Sequence, residues 1–382
     1  MPTANDRIFY ACQGVAIQSE GKNVQVVPAE MVHGLQSVGI TTNFNLEQAF
    51  ELGQIEIYEN IEGTPDIEVT LEKVLDGDPL IYHMASTGVA GGSASQTGLV
   101  NRSKQRCDVR LGIFPDENNF ISSAGATDGA EVWMSGMYIS SIAYSLASDG
   151  NSTESVTLVG NNKQWCRMGT TISWLAPDSV VDFNGLDEPL GLGTDSVPLG
   201  GITQKEDVLI NGCILPESVH GVVGTGYNNA ANNVHIQSVN VSTDFSREDI
   251  FELGRKLPYA RPAAFPIEVT CDIEAISTSG DFVQGLEAGD PALNLTKASG
   301  NNTTNESIFF YTRQGLGLDL GIKNRLSSVS YGGGDAGGGN ATVTYSYQNF
   351  NDLDVQNRRD YIGIGSLKSG SWPTFPADIV FV

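Results

Sequence analysis

The sequence predicts a mainly β fold built as two tandem modules, and three observations predict it. Short apolar runs alternate with period two and are broken by Gly and Asn, with 44 glycines in 382 residues. Hydrophobic residues make up 40% and charged residues 17%, a globular composition long enough for more than one core. A long stretch of the first half recurs in the second, which is the mark of a repeated structural unit. Each module reads as a β-sandwich or half-barrel with one short helix at its side.

Residues 36–65 read QSVGITTNFNLEQAFELGQIEIYENIEGTP, and residues 237–266 read QSVNVSTDFSREDIFELGRKLPYARPAAFP. At an offset of 201 residues, Gln36, Ser37, Val38, Phe44, Phe50, Leu52 and Gly53 all meet identical counterparts, among them Phe245, Phe251, Leu253 and Gly254. Beyond the block the alignment slips by one, so that Glu68-Val69-Thr70 matches Glu268-Val269-Thr270. Residues 139–158 match 326–345 at an offset of 187, with Tyr144 on Tyr331 and Val156 on Val343. The domains expected are module one over 1–168, a linker over 169–204, module two over 205–350 and a C-terminal arm over 351–382. The linker, GLDEPLGLGTDSVPLGG at its centre, is rich in Gly and Pro. The arm ends on Ile379-Val380-Phe381-Val382, which is expected to dock.

Within the shared block the expected order is strand, short helix, strand, strand. Asn45 is a good N-cap with Gln48 at the capping-box position, and Gly53 stands where a left-handed C-cap belongs. Ser246, Asp249 and Gly254 repeat the pattern. A two-turn helix needs a sheet to lean on, and Phe50, Leu52, Phe251 and Leu253 are expected to provide that contact, with Phe44 and Phe245 as staples. Next, Ile67–Glu72 and Ile267–Glu274 alternate with period two, one face apolar and the other carrying carboxylates. Tyr138–Leu146 and Ser155–Val159 then flank Asp149-Gly150-Asn151 as a hairpin, and in the second copy the loop is a glycine-rich run at 332–339.

The net charge of −24 argues against a grip on phosphate or on anionic membranes. It suits solubility, a salt-adapted host, or a surface past which a polyanion slides without sticking. The five cysteines are widely spaced and lack zinc spacing, which favours buried small hydrophobes over a disulfide framework. No apolar signal region opens the sequence, and no run approaches the ~18–20 apolar residues that span a bilayer. A soluble protein with no cleaved amino-terminal secretion signal, no membrane partner, no metal and no cofactor is expected.

Catalytic motifs are missing. The four histidines, His33, His83, His220 and His235, show no mechanistic spacing, and no Gly-x-Ser-x-Gly, HExxH or P-loop occurs. Gly315-Leu316-Gly317 lacks the rest of a dinucleotide fingerprint. Asp76-Gly77-Asp78 runs into Pro79 without further calcium ligands and reads as a tight turn. The expectation is a protein that is not an enzyme.

The stretch from VHGLQSVGITTNFN through EGTPDIEVTLEKVLDGDPLIY, followed by YISSIAYSLASDGNSTESVTLVGN, resembles the major tail tube proteins of long-tailed bacteriophages. That resemblance implies β-sandwich subunits whose inner sheets join edge to edge into a continuous ring β-barrel, with rings stacked through loops and arms. It implies a virion protein of the tail, assembled in the host cytoplasm and serving genome delivery. The implied partners are further copies of itself, tape-measure, terminator and baseplate proteins, and double-stranded DNA passing without specific binding. The doubling departs from the family pattern and suggests three chains in a pseudo-sixfold ring. Glu68, Glu72, Glu268 and Asp272 are the lumen-facing candidates. The alternatives are another ring component (tail hub, distal tail or terminator) and a tail-tip glycan-binding module. The latter calls for clustered aromatics, whereas Trp133, Trp165, Trp174 and Trp372 are scattered.

Overall fold

A computed structural model describes residues 7–8, 10–19, 30–53, 55–77, 79–86, 98–114, 130–167, 201–210, 213–216, 219, 235–277, 281, 283, 305–334 and 339–357. The first half opens with β1 (Gln13–Ser19), β2 (Glu30–Met31) and β3 (Leu35–Asn43). A hairpin of β4 (Leu46–Phe50) and β5 (Ile57–Glu62) leads into β6 (Asp66–Val74). Short helices α1 (Ile81–Ser86) and α2 (Leu99–Arg102) precede β7 (Cys107–Ile113), the long β8 (Ala130–Ala147), β9 (Thr153–Gly160) and β10 (Gln164–Arg167). The second half holds β11 (His235–Asp244), β12 (Glu268–Ile276), β13 (Phe309–Tyr311) and β14 (Leu316–Asp319). It closes with β15 (Arg325–Gly332), β16 (Thr342–Phe350) and β17 (Asp354–Asn357).

The main sheet runs β3-β6-β9-β8-β11-β12-β16-β15, antiparallel at every step. Its order repeats itself: QS strand, alternating strand, second hairpin strand, first hairpin strand, then the same four again. The two runs meet where β8 pairs with β11. A second layer repeats in the same way. β10 and β7 flank the first half of β8, as β17 and β13 flank β14. β1 lies on β7, and bridges at Val208 and Ile214 lay the start of the second half on β13. β8 serves both layers because it breaks at Gly136, which takes φ of 66° and donates its amide to Asp108.

Alternation places the core. Ile67, Val69 and Leu71 are buried on β6 while Glu68 and Thr70 are exposed, and Val269, Cys271 and Ile273 are buried on β12. These inward faces, the second layer and α1 share one apolar cluster, from Val15 and Leu71 through Ile142 to Ile273, Leu318 and Val355. Cys12, Cys107, Cys213 and Cys271 lie inside as small apolar groups. Asp76 forms an ion pair with the buried Lys73 at 2.8 Å beside a turn at Gly77, as the tight-turn reading expects. Leu316 and Gly317 are strand residues of β14.

Three expectations need correction. The helix expected over Asn45–Gly53 is a β-hairpin, β4 on β5, and bridges Arg247↔Ala263 and Ile250↔Ala260 make the second copy a hairpin-like arm too. The positive φ is where it was expected, 95° at Gly53 and 91° at Gly254, but a left-handed glycine closes a hairpin turn as readily as a helix. A helix this short has no stability alone, whereas the strand that returns over Ile57–Glu62 pairs with this segment and takes up its inward backbone groups. Second, the paired strands lie two residues from the sequence alignment. Val38 faces Leu71 and Val239 faces Ile273, so β6 maps onto β12 at an offset of 202, and Glu68 corresponds to Thr270 rather than to Glu268. Likewise Val156 corresponds to Tyr345, because the loop before β16 is longer by two residues. Third, residues 354–357 of the expected C-terminal arm form β17, held on β14. The linker at 169–200 and the apolar end at 379–382 lie outside the described residues.

Candidate functional site

Three surfaces of this fold can do something beyond holding the chain together. The first is the pair of sheet edges. Among the described residues β3 and β15 each have a partner on one side only. An edge of unpaired N–H and C=O groups is a template for another strand. β3 is long and rich in β-branched residues, with neither Pro nor an inward charge to blunt it.

The second surface is the polar face of the main sheet. It carries Ser37, Thr41 and Asn43 on β3, Ser141 and Ser145 on β8, Asn240 and Ser242 on β11, and Thr344 and Ser346 on β16. The lumen candidates all lie here: Glu68 and Glu268 are exposed, Glu72 and Asp272 half-buried. Parity of the strands puts them on one face even though they are not equivalent positions. The equivalent pairs are Asp66 with Glu268, Thr70 with Asp272 and Glu72 with Glu274. Ser37 donates to Glu72 at 3.3 Å just as Ser238 donates to Glu274 at 3.3 Å. Gln348 donates to Glu268. Asp244 adds a further carboxylate, and among the described strand residues of this face Arg325, at the edge, is the one cation. A broad field of hydroxyls and carboxylates repels polyanions and does not grip them.

The third surface is the pair of hairpin arms. Phe50, Leu52, Phe251 and Leu253, expected to lean on a sheet, are exposed at 66%, 104%, 59% and 104%. Ile55, Ile57, Tyr58 and Tyr259 stand exposed beside them. Phe44 and Phe245 precede left-handed residues at equivalent places, Asn45 with φ of 45° and Ser246 with φ of 43°, which turn the chain out into the arm. Phe245 is nevertheless wholly buried and Phe44 exposed. Arg261 anchors the second arm, bonding Asp249 at 2.6 Å and reaching Asp66 of the first half at 3.2 Å. Arg247 donates to the Ile139 carbonyl at 2.8 Å and lies 4.9 Å from the Tyr138 ring centroid. Burial lowers its pKa to about 10.

A buried polar seam completes the inventory. The Glu154 carboxylate accepts the amides of Ile81 and Tyr82, at 2.8 and 3.1 Å, and the Tyr144 hydroxyl at 3.0 Å. Burial raises the Glu154 and Tyr144 pKa values. His83 joins the halves, its Nε2 lying 3.0 Å from the Val355 carbonyl oxygen, and burial lowers its pKa well below 6.5. Glu154 caps the start of α1, and Glu154, Tyr144 and His83 are all buried. His33 is half-buried and His235 exposed, and the described residues hold no cluster of His, Cys, Asp and Glu able to bind a metal. Sequence reasoning missed the β8–β11 joint and the free edges, since no local pattern marks which strand lacks a neighbour. The exposed apolar residues on both sides of Gly53 and Gly254 were the signal for arms.

No family model matches the chain, and no curated protein matches it. Among solved structures, the tube-terminating cap of the anti-feeding prophage is similar over 43% of this chain and 94% of its own, at 12% identity and a TM-score of 0.29. The sheath–tube complex of PVC, an extracellular contractile injection system in its extended state, is similar over 42% and 93%, at 11% identity and a TM-score of 0.28. The anti-feeding prophage baseplate is similar over 43% and 98%, at 10% identity and a TM-score of 0.29.

Proposed function

We propose that this chain is a structural subunit of a phage-type tail tube, self-assembling into stacked rings that conduct a genome. The observation that carries the reading is the β8–β11 joint. It is an edge-to-edge pairing between two runs of the same strand order, and it leaves the same two kinds of strand, β3 and β15, free at the ends. Whatever joins the runs within one chain can join one chain to the next, and a repeating strand path can close into a ring. Closure removes the exposed edges. The two runs read as a duplication, so that three chains complete a pseudo-sixfold ring. The polar face then lines the lumen, with Glu68, Glu72, Glu268 and Asp272 repelling DNA, and the apolar arms project where neighbouring subunits can cover them. Tape-measure, terminator and baseplate proteins are the further partners of this reading, the virion tail is its location, and it assigns the chain no enzymatic activity.

Electron microscopy of the purified chain at high concentration, with two-dimensional class averages and mass measurement, tests this. Hollow rings or tubes with three chains per ring are expected. Rings of six chains would discard the doubled-module stoichiometry, and a chain that stays monomeric at every concentration would discard the tube.

A further inference from the structure

The internal joint is a template for the seam between chains, and it specifies that seam residue by residue. In the joint Val241 lies opposite Tyr144 and Ser242 opposite Ala143. β3 matches β11 at an offset of 201, including the bulge after Leu35 and Ile236, and β15 matches β8 at 187, including the bulge after Ile139 and Leu326. Ile40 therefore stands for Val241, Thr41 for Ser242, Tyr331 for Tyr144 and Ser330 for Ala143. Burial supports the substitution. Phe245, whose amide the joint ties to the Ser140 carbonyl, is 0% exposed, whereas Phe44, which nothing described covers, is 65% exposed.

We propose that β3 of one chain pairs antiparallel with β15 of a second copy in this one register, Ile40 opposite Tyr331 and Thr41 opposite Ser330, and that Phe44 is the anchor of the seam. The inference rests on the ring reading and goes beyond it in naming the contact. In the joint the Phe245 amide donates to the carbonyl of Ser140, the extra residue of the β8 bulge, at 2.8 Å. The equivalent acceptor across the seam is the carbonyl of Ser327, the extra residue of the β15 bulge.

The seam is not a copy of the joint in its charges. Arg247 covers Phe245 and Tyr138 in the joint, 5.4 and 4.9 Å from their ring centroids. Leu46 holds the place of Arg247 on β4, and Arg325 holds the place of Tyr138 on β15. The cation at the seam thus comes from the opposite strand: Arg325, whose Nε donates to Asn305 at 3.2 Å, stands where Tyr138 stands in the joint, and a ring within its reach gains a cation–π contact once water is excluded. Joint and seam alternate around the ring and differ in which side carries the charge, so a chain cannot register a seam strand into the joint without placing two cations, or none, at one ring.

The test is disulfide formation in the assembled protein. Thr41→Cys with Ser330→Cys in one chain places the thiols directly opposite across the seam, within the Cα separation of about 4.4–6.8 Å that a disulfide tolerates. Thr41→Cys with Ser328→Cys keeps both on the same face but displaced diagonally, at about 7–8 Å. Oxidised rings of the first variant are expected to yield covalent trimers on non-reducing gels, and those of the second, with the unsubstituted chain, to yield none. Rings of three chains in which the displaced pair links, or neither pair does, would overturn this register and leave the ring reading standing. An unsubstituted chain that forms no ring at all would take both down. Phe44→Asp adds an independent arm: ring formation is expected to be lost, and unimpaired rings would remove Phe44 as anchor.

Discussion

The two hairpin arms share two cross-strand pairings, Leu46↔Glu62 with Arg247↔Ala263 and Ala49↔Glu59 with Ile250↔Ala260, and differ in what holds them. Both leave the sheet through a left-handed residue, Asn45 or Ser246, and both turn at a left-handed glycine. At the base of the second arm Arg247 and Arg261 reach back to the sheet, to Asp249 and to Asp66. At the same places the first arm has Leu46 and Asn60, and it rests on the second, with the Thr64 hydroxyl donating to the Lys256 carbonyl at 2.6 Å. The difference teaches that the arms have different neighbours. The second sits at a joint completed by its own chain, and its phenylalanine is buried. The first sits at an open edge with the same phenylalanine in solvent.

The largest effect that can break this comparison is on the two phenylalanines. Phe245→Ala is expected to destabilise the isolated chain by about 3–5 kcal/mol, the ordinary cost of emptying a buried aromatic site. Phe44→Ala should fall within about 0.5 kcal/mol, as an exposed substitution does. Denaturant unfolding of dilute protein measures both, and equal losses would mean that the two edges are not in different states.

A smaller effect sharpens the contrast in anchoring. Arg261→Ala removes hydrogen bonds between a buried guanidinium and two partly exposed carboxylates, and a loss of about 1–2 kcal/mol is expected. Asn60→Ala at the equivalent position of the first arm should cost nothing measurable, and a matching loss there would show an anchor of its own.

The last effect is a pH dependence and concerns the tie between the halves at His83. Burial lowers the folded-state pKa of His83 below the ordinary 6.5, so the unfolded chain takes up the proton first. The stability this provides is complete above about pH 6.5 and declines as pH falls, by up to roughly 1.4 kcal/mol per pH unit. Glu154, with a raised pKa, works in the opposite sense, its contribution present below 4.5 and lost as pH rises. Comparing the chain with His83→Gln cancels that common contribution. The midpoint of thermal unfolding should fall more steeply between pH 7 and 5 in the unsubstituted chain, and parallel curves would show that the imidazole does not titrate on unfolding.

The sequence by itself determined the class, the recurrence and the faces. Alternation along Ile67–Glu72 and along 268–274 sorts buried from exposed residues because successive side chains on a strand point to opposite sides. The hairpin around Gly150 and the left-handed turns at Gly53 and Gly254 were legible for the same local reason. The carboxylates kept their common face despite a two-residue error, since a shift of two preserves parity where a shift of one reverses it. Only the tertiary structure decided the rest. Register is a matter of loop length and bulge position, which no residue pattern within a strand encodes. Whether Asn45–Gly53 becomes helix or hairpin depends on the segment that returns to pair with it. Phe44 and Phe245 sit in near-identical sequence, and their opposite burial depends on which strand lies alongside: β8 covers one, and nothing in the described chain covers the other.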